Sequence, residues 1–467
     1  MEVITYSNIV VEGFPFKKIL SVSIEHAPNE HAKAEIVGEV ETEVGQNQVQ
    51  RVDETTMITV STTAEGQPEV LFCGCVGNLS MEQENEYSRV NLLLYSTSRL
   101  LDMTLKNKTY QNTAKTYGQI IQADIADVGD LHMMVSDKAI GQLIMKYNET
   151  DWNFMKRMAS QLNAPLIANL YSQRPQVYIG MPPAARTIEV ESTSFSYGSD
   201  IDSFAQSSNS MVQDFAGEQV ESYQYGYLGD EILMNGQSRY AKSVHAYLED
   251  GILRIKYGLL AATAASAGGS MAGIAVPATA NTQASGKMMK GIVQAVQGDK
   301  VQVYLTDVDA SYDEGGNWWF PFSTAYSSGD GSGWYCMPEV GDEVRVFFPS
   351  GNEGEAFAAS SVCANPPSNP RHKSWKAPGG KEILLTDEGM YIIGKSGKMY
   401  INLTDETGVE IHSDKDINIT SDAKISISAA DEIHVVATNE IIIGTDNAYL
   451  DLTRDNAILA ADQVLIN

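Results

Sequence analysis

Basic residues are scarce in this chain of 467 residues: 32 Lys and Arg stand against 60 Asp and Glu, a net charge of -28. A surface so acidic repels phosphate, which excludes nonspecific binding to nucleic acid or to an anionic membrane and leaves solubility as its main consequence. Cysteine is equally sparse. Cys73, Cys75, Cys336 and Cys363 match no zinc spacing and fall far below the density of a disulfide scaffold. Cys73 and Cys75 share one face of a strand-like run, where a redox or metal pair is weighed against two small buried hydrophobes and the second reading is taken. The opening MEVITYSNIV lacks the basic region and apolar run of a secretory signal, so assembly in the cytoplasm is expected.

Long hydrophobic runs are also missing. The nearest approach, Gly258 to Gly286, has no charged residue, but Gly268, Gly269 and Pro277 interrupt it and Leu, Ile and Phe are few. A membrane span needs about 20 predominantly apolar residues, so this stretch reads as an Ala/Gly/Ser-rich linker. Catalytic and ligand motifs are no better represented. Asp307, Asp309, Ser311 and Asp313 alternate like calcium ligands, yet Tyr312 and Trp318 occupy the positions where the calcium loop requires Gly and Glu. A polar loop between barrel strands is expected there. Gly329, Gly331 and Gly333 precede neither a helical run nor Gly-Lys-Ser/Thr, which excludes a phosphate cradle. His26 and His31 have no third ligand and read as surface polar residues. His412 and His434 lie out of phase with the C-terminal repeat, and paired carboxylates carry no weight in so acidic a chain. No catalytic residue, cofactor site or metal site is expected.

What is present is a packed, mainly β chain. With 43% apolar residues and this length, two to four domains are expected. Residues 1 to about 105 alternate in short runs such as Ile19 to Ile24, Met57 to Ser61 and Val90 to Tyr95. Two helical stretches follow, Thr113 to Ala126 and Asp151 to Leu162, the second opened by Asn148, Glu149 and Thr150, which suit a helix N-terminus. β-like runs resume to Tyr257. Met288 to Leu305 reads as a hairpin turning at Gly298 and Asp299, and with Trp318 to Phe322 and Glu343 to Phe348 it predicts a small five-stranded Greek-key barrel. Asn365 to Gly380 is rich in Pro and Gly and reads as an extended connector.

The strongest signal is an eight-residue repeat in the C-terminal part. Apolar pairs recur at Ile401 and Leu403, Val409 and Ile411, Ile417 and Ile419, Ile425 and Ile427, Ile433 and Val435, and Ile441 and Ile443. Strands this short cannot bury an apolar face alone and must stack in a β-solenoid. Three octads per coil would give one chain only two coils, fewer than the roughly three units such stacks need. Three chains wound together would share one Ile-lined core. The period by itself also allows longer turns within one chain.

The segment Gly333 to Val362 resembles the signature of the VgrG family and of phage tail-spike proteins, through Gly333, Trp334, Pro338, Val340, Gly341, Glu343 and Val344. Tyr147 to Ala159 and Val177 to Pro182 resemble hub segments of the same family. The resemblance implies a mainly β homotrimer: two hub β-barrel-like domains with small helices, an oligonucleotide/oligosaccharide-binding (OB-fold) barrel, and a triple-stranded β-helix needle. The implied boundaries are hub 1–257, linker 258–286, barrel 287–364, connector 365–380 and spike 381–467. The implied function is structural and non-enzymatic: a hub and membrane-puncturing spike of a contractile injection system, adapting a hexameric inner tube to a threefold needle. Inner tube and baseplate proteins, a separate spike-tip protein, effectors and a target membrane are the partners it implies, with delivery outside the cell. The connector is too short for the lysozyme-like domain of some relatives, and with few residues beyond the octads no catalytic cargo is expected on this polypeptide. The alternative is a phage tail component that binds a receptor or acts on glycans; an adhesin with a trimeric stalk is the third reading.

Overall fold

The computed structural model describes residues 3–464 apart from 65, 85–86, 191–194, 200–215, 262–273, 275 and 395–396. The chain divides into two compact units, Met1–Val362 and Cys363–Asn467. The first opens with β1 (Ile9–Glu12), β2 (Lys18–His26), β3 (Lys33–Glu41), helix α1 (Thr42–Arg51), β4 (Met57–Thr62), β5 (Glu69–Glu84) and β6 (Tyr87–Ser96). A lobe of mixed structure follows: β7 (Lys106–Tyr110), α2 (Tyr117–Ile125), β8 (Asp130–Met133), β9 (Ile144–Glu149), α3 (Asp151–Gln161), β10 (Leu166–Ala168) and β11 (Gln176–Ile179). Strands then resume as β12 (Thr187–Val190), β13 (Phe195–Ser199), β14 (Ala216–Ser222), β15 (Glu231–Met234), β16 (Gln237–Glu249) and β17 (Ile252–Ala261).

The first and last groups form a single sheet of twelve strands among the described residues, in the order β1-β4-β5-β6-β3-β2-β16-β17-β14-β13, with β15 on β16 and β12 on β15. The seam is the antiparallel pair of β2 and β16, where Ile24 faces Ala246 and His26 faces Val244. Period-two burial accounts for the strands: along β6, Ser88, Val90, Leu92, Leu94 and Ser96 are buried and the residues between them are more exposed. Ile36, Ile58, Phe72 and Leu92 from one side of the seam share a core with Ile188, Ile232, Ile255 and Tyr257 from the other. Each such side chain contributes about 1.5–3 kcal/mol on leaving water.

The two expected helices are present at Tyr117–Ile125 and Asp151–Gln161, the second capped by Thr150, whose hydroxyl accepts from the Asn153 amide. Their apolar faces meet in a second core around Ile121, Phe154, Met158 and Ile179. Helix α1 is a departure from the all-β reading of residues 1 to 105. Its sequence, TEVGQNQVQR, buries only Gly45, so it carries neither an apolar stripe nor strand alternation.

The barrel consists of β18 (Lys287–Gln297), β19 (Lys300–Tyr304), β20 (Phe320–Ser323), β21 (Glu343–Phe348) and β22 (Phe357–Ala359), closed in the order β18-β19-β20-β22-β21. The expected hairpin turns at Gly298 and Asp299, with Gln297 facing Lys300, and positive φ at Gly298 meets the demand of a two-residue turn. The segment expected as a linker over 258–286 lies partly outside the described residues. What is described corrects its edges: Gly258 to Ala261 continue β17, with Leu259 buried, and Ala284 is buried in the barrel core.

The second unit holds β23 (Lys373–Lys376), β24 (Glu382–Leu385), β25 (Gly389–Ile393), β26 (Met399–Thr404) and β27 (Gly408–Ser413) as an antiparallel meander, then β28 (Glu440–Thr445), β29 (Ala448–Thr453) and β30 (Ala457–Ala460) as another. The connector expected over 365–380 is therefore a strand in part, because Trp375 pairs across to Ile383. Among the described residues of 414–439 there is no strand, and nearly all are exposed.

Candidate assembly surface

The meander β23 to β27 aligns apolar side chains in rows. Trp375 faces Ile383, Ile383 faces Ile392, Ile392 faces Ile401, and Ile401 faces Ile411. A parallel row runs from Leu385 through Met390 and Leu403 to Val409. The first two octads thus meet as cross-strand pairs, joined by a turn in which Gly408 takes positive φ. In the last meander Ile441 faces Leu452 and Ile443 faces Leu450. Cross-strand apolar pairs stabilise such ribbons by only about 0.2–1 kcal/mol each.

These rows are not covered. Val409 is 68% exposed, Ile419 71%, Ile427 76% and Val435 65%; Ile411, Ile417, Ile425, Ile433 and Ile443 are exposed as well, while Ile401, Leu403 and Ile441 are partly so. Trp375, Ile383, Ile392, Ile401, Ile411 and Ile417 line a groove of about 620 Å³ in the same unit. The octads at Ile417, Ile425 and Ile433 form no coil within one chain, since a two-residue apolar face has nothing to pair with. Soluble monomers rarely leave so continuous an apolar surface in water.

The signature residues are spread over a barrel loop and a barrel strand rather than gathered in one pocket. Gly333 takes φ 147° in a bridge to Ser327, where a Cβ would lie 2.5 Å from the Tyr326 carbonyl oxygen. Trp334 donates its backbone N–H to that oxygen, and its side chain is 67% exposed. Val340 is exposed too; Gly341, at φ 95°, donates its N–H to the Val293 carbonyl. Glu343 opens β21 and pairs with Arg345, and Val344 is fully buried in the barrel core. The motif is one of turn geometry and strand entry, with Pro338 inside the loop.

Other sequence candidates resolve as structure. Asp309 accepts from the Thr109 N–H at 2.6 Å and from its hydroxyl at 2.5 Å, and burial raises its pKa. Asp307 accepts from the Lys290 amide and Asp313 pairs with Lys115. These aspartates sit in the loop between β19 and β20, as expected, and two of them tie it to the preceding lobe. No cluster of three or more metal-ligating side chains occurs among the described residues. Cys73 and Cys75 are buried in β5, and burial raises both thiol pKa values. His26 and His31 overturn the surface reading. His26 is 4% exposed with its pKa pushed down by burial to about 4, and the His31 ring lies 4.2 Å from that of Trp152, tilted by 33°, while its Nδ1 meets the Ser98 hydroxyl. His26 ends a strand at the β2–β16 seam, a burial that only long-range pairing decides.

Sequence reasoning missed a set of buried ions in the middle lobe. Lys146 is fully buried between Asp124, at 3.1 Å, and Asp151; Lys108 and Lys106 flank those carboxylates on the outside. Burial alone would raise the Asp124 pKa, but Lys146, Lys108 and the Tyr110 hydroxyl bring it below the usual carboxylate range. The one sequence clue was Asp151 in the helix-opening segment.

Residues 289–362 match the family described as the type VI secretion system/phage-baseplate injector OB domain. The match spans the barrel from β18 to the end of the first unit. No curated protein matches the chain in sequence. Among solved structures, the E. coli c3393 protein, a component of the type VI secretion system described as structurally similar to the T4 bacteriophage tail proteins gp27 and gp5, aligns at TM-score 0.54 with 12% identity. The alignment covers 76% of this chain and 99% of that one. The half-lidded Francisella PdpA-VgrG complex aligns at TM-score 0.52 with 8% identity, covering 88% of each chain. At such identities the likeness is one of fold. It agrees with the resemblance read from the barrel residues: the chain is mainly β and VgrG-like in fold, and its barrel is similar to the injector OB domain of type VI secretion systems and phage baseplates.

Proposed function

We propose that three copies of this chain assemble into the hub and spike of a contractile injection system, with the octads of residues 381–467 wound into a shared triple-stranded β-helix. The observation that carries the reading is the uncovered apolar ladder from Trp375 to Ile411, continued by exposed pairs at Ile417, Ile425, Ile433 and Ile443. Two further copies are the occupant of matching shape and period, since each octad then finds the same octad of a neighbour. In this assembly Ile401, Leu403, Val409, Ile411, Ile417, Ile419, Ile425, Ile427, Ile433, Val435, Ile441 and Ile443 form the needle core. The acidic residues between them stay in water and keep needles apart.

On this reading residues 1–257 grip the end of an inner tube within a baseplate, the barrel forms the neck, and the needle meets a target membrane when the machine contracts. Tip and effector proteins ride at the apex, assembly takes place in the cytoplasm, and delivery is outside the cell. A β-helix with closed strands suits such a load because it leaves no lateral edge to open. Light scattering tests the assembly: a mass near three times 50.9 kDa for the full chain, lost or made heterogeneous by truncation after Gly380, is expected. A stable monomer at all concentrations would overturn it. The role is mechanical, so no turnover of peptidoglycan or other glycans is expected; measurable hydrolysis would favour the glycan-acting alternative.

A further inference from the structure

Strand β9 presents its two faces to two different cores. Ile144 packs with the helices of the middle lobe, and Lys146 points the same way, into the carboxylates of Asp124 and Asp151. The alternate residues do the opposite. Leu143, just before the strand, and Met145 are fully buried in the barrel core beside Val303, Phe320, Val346 and Ala358, and Tyr147 packs against the same cluster. Period two on one strand thus feeds the hub lobe with even positions and the barrel with odd ones.

Polar groups lock the arrangement where the apolar ones meet. Arg157 of α3 donates to Glu353 at 2.9 Å, to both oxygens of Glu149 and to the Met145 carbonyl; Arg157 and Glu353 are each about nine-tenths or more buried. Asn281, entering the barrel, donates to the Met145 carbonyl at 2.7 Å and to Glu353 at 2.9 Å. On the far side Asp309 holds Thr109, Gln111 donates to the Val303 carbonyl, and Asn317 accepts from Thr113. A charge as buried as Arg157 persists only with its partners in place, so the contact cannot open by degrees.

We infer that β9 is a strand shared between hub and barrel, and that with the Arg157–Glu353–Asn281 clamp it makes the two a single cooperative body in which the barrel is not an autonomous module. Load passing between hub and neck then travels through β9 and the clamp, alongside the covalent segment before the barrel. The coupling does not depend on the trimer reading, because every group in it belongs to one chain; the force path does.

Hydrogen exchange on the full chain, read peptide by peptide, tests the coupling in wild type, Met145→Ser and Glu353→Gln. In wild type the slowest amides of β9, β18 and β21 should exchange at a common rate, as parts of one unit do. Met145→Ser changes only a hub residue, yet it should speed exchange in β18 and β21 at least tenfold. Glu353→Gln changes only a barrel residue and should do the same to α3 and β9. Should Met145→Ser fail to fold, the near-isosteric Glu353→Gln decides alone. Barrel amides that exchange independently of β9 in wild type, or a Glu353→Gln effect confined to the barrel, would overturn the inference. Either result stands apart from the light-scattering test, whose failure would remove the trimer and leave the shared strand intact.

Discussion

The two units of this protein handle the same kinds of side chain in opposite ways. In Met1–Val362, isoleucines such as Ile36, Ile58 and Ile255 are fully buried by strands far apart in sequence, and even Lys146 and Arg157 are enclosed with their counter-ions. In Cys363–Asn467, isoleucines at a stricter period remain in water. The first unit builds closed apolar cores within one chain; the second has the regularity of a core without enough layers to make one. Regular spacing alone does not bury a residue. Burial needs a second surface, and a run of octads in a single chain has none.

The comparison breaks most visibly if a charge is placed where the second unit is expected to become a core. Ile425→Asp should leave the fold of residues 1–362 unchanged but put three carboxylates into one layer of the needle, at several kcal/mol per buried ion. Light scattering should show the trimer lost, and a variant trimer melting with wild type would refute the shared core. Lys146→Met probes the first unit, where Asp124 and Asp151 would lose their buried cation. A cost of about 3–5 kcal/mol is expected, read as a lower urea midpoint for the residue 1–362 transition and no change in the needle.

Acid should also separate the units. His26 is neutral in the fold with its pKa lowered from 6.5 to about 4 by burial, against which a backbone contact at Ala168 works only in part. The unfolded chain therefore takes up a proton between those values while the folded chain does not, so stability falls as pH drops from about 6.5 to about 4 and is unaffected by this group above that window. The full effect is about 3 kcal/mol at 1.36 kcal/mol per unit. Urea midpoints of the first unit at pH 7 and pH 4.5 should differ by less in His26→Phe than in wild type. The smallest effect sharpens the contrast: in chain kept monomeric by Ile425→Asp, Val409→Ala should shift stability by no more than about 0.5 kcal/mol. Leu92→Ala in the same background should cost about 2–5 kcal/mol. Equal costs would mean that Val409 is already packed within one chain.

Much of the fold was legible along the chain, and its limits follow from range. Helix α3 could be read because Trp152, Phe154, Met155 and Met158 recur on one side after a capping Thr150; α1 could not, because Thr42 to Arg51 has no apolar stripe. The barrel hairpin was legible from the two residues between its strands. The β2–β16 seam joins residues more than 200 positions apart, and Arg157 and Glu353 are separated by 196, so neither pairing leaves a local trace. For the same reason the surface reading of His26 failed.

By itself, the sequence determined the acidic, mainly β character of the chain, the barrel with its Gly333-to-Val344 turn motif, and the eight-residue period of the C-terminal part. All of these are written in spacings of a few residues, where backbone geometry and side-chain direction act directly. Only the tertiary structure decided that one sheet runs through both β-rich regions of the first unit, that β9 serves two cores, and that the octads stay uncovered in a single chain. Those outcomes depend on which distant surfaces meet, and burial energy selects them only after the local elements have formed.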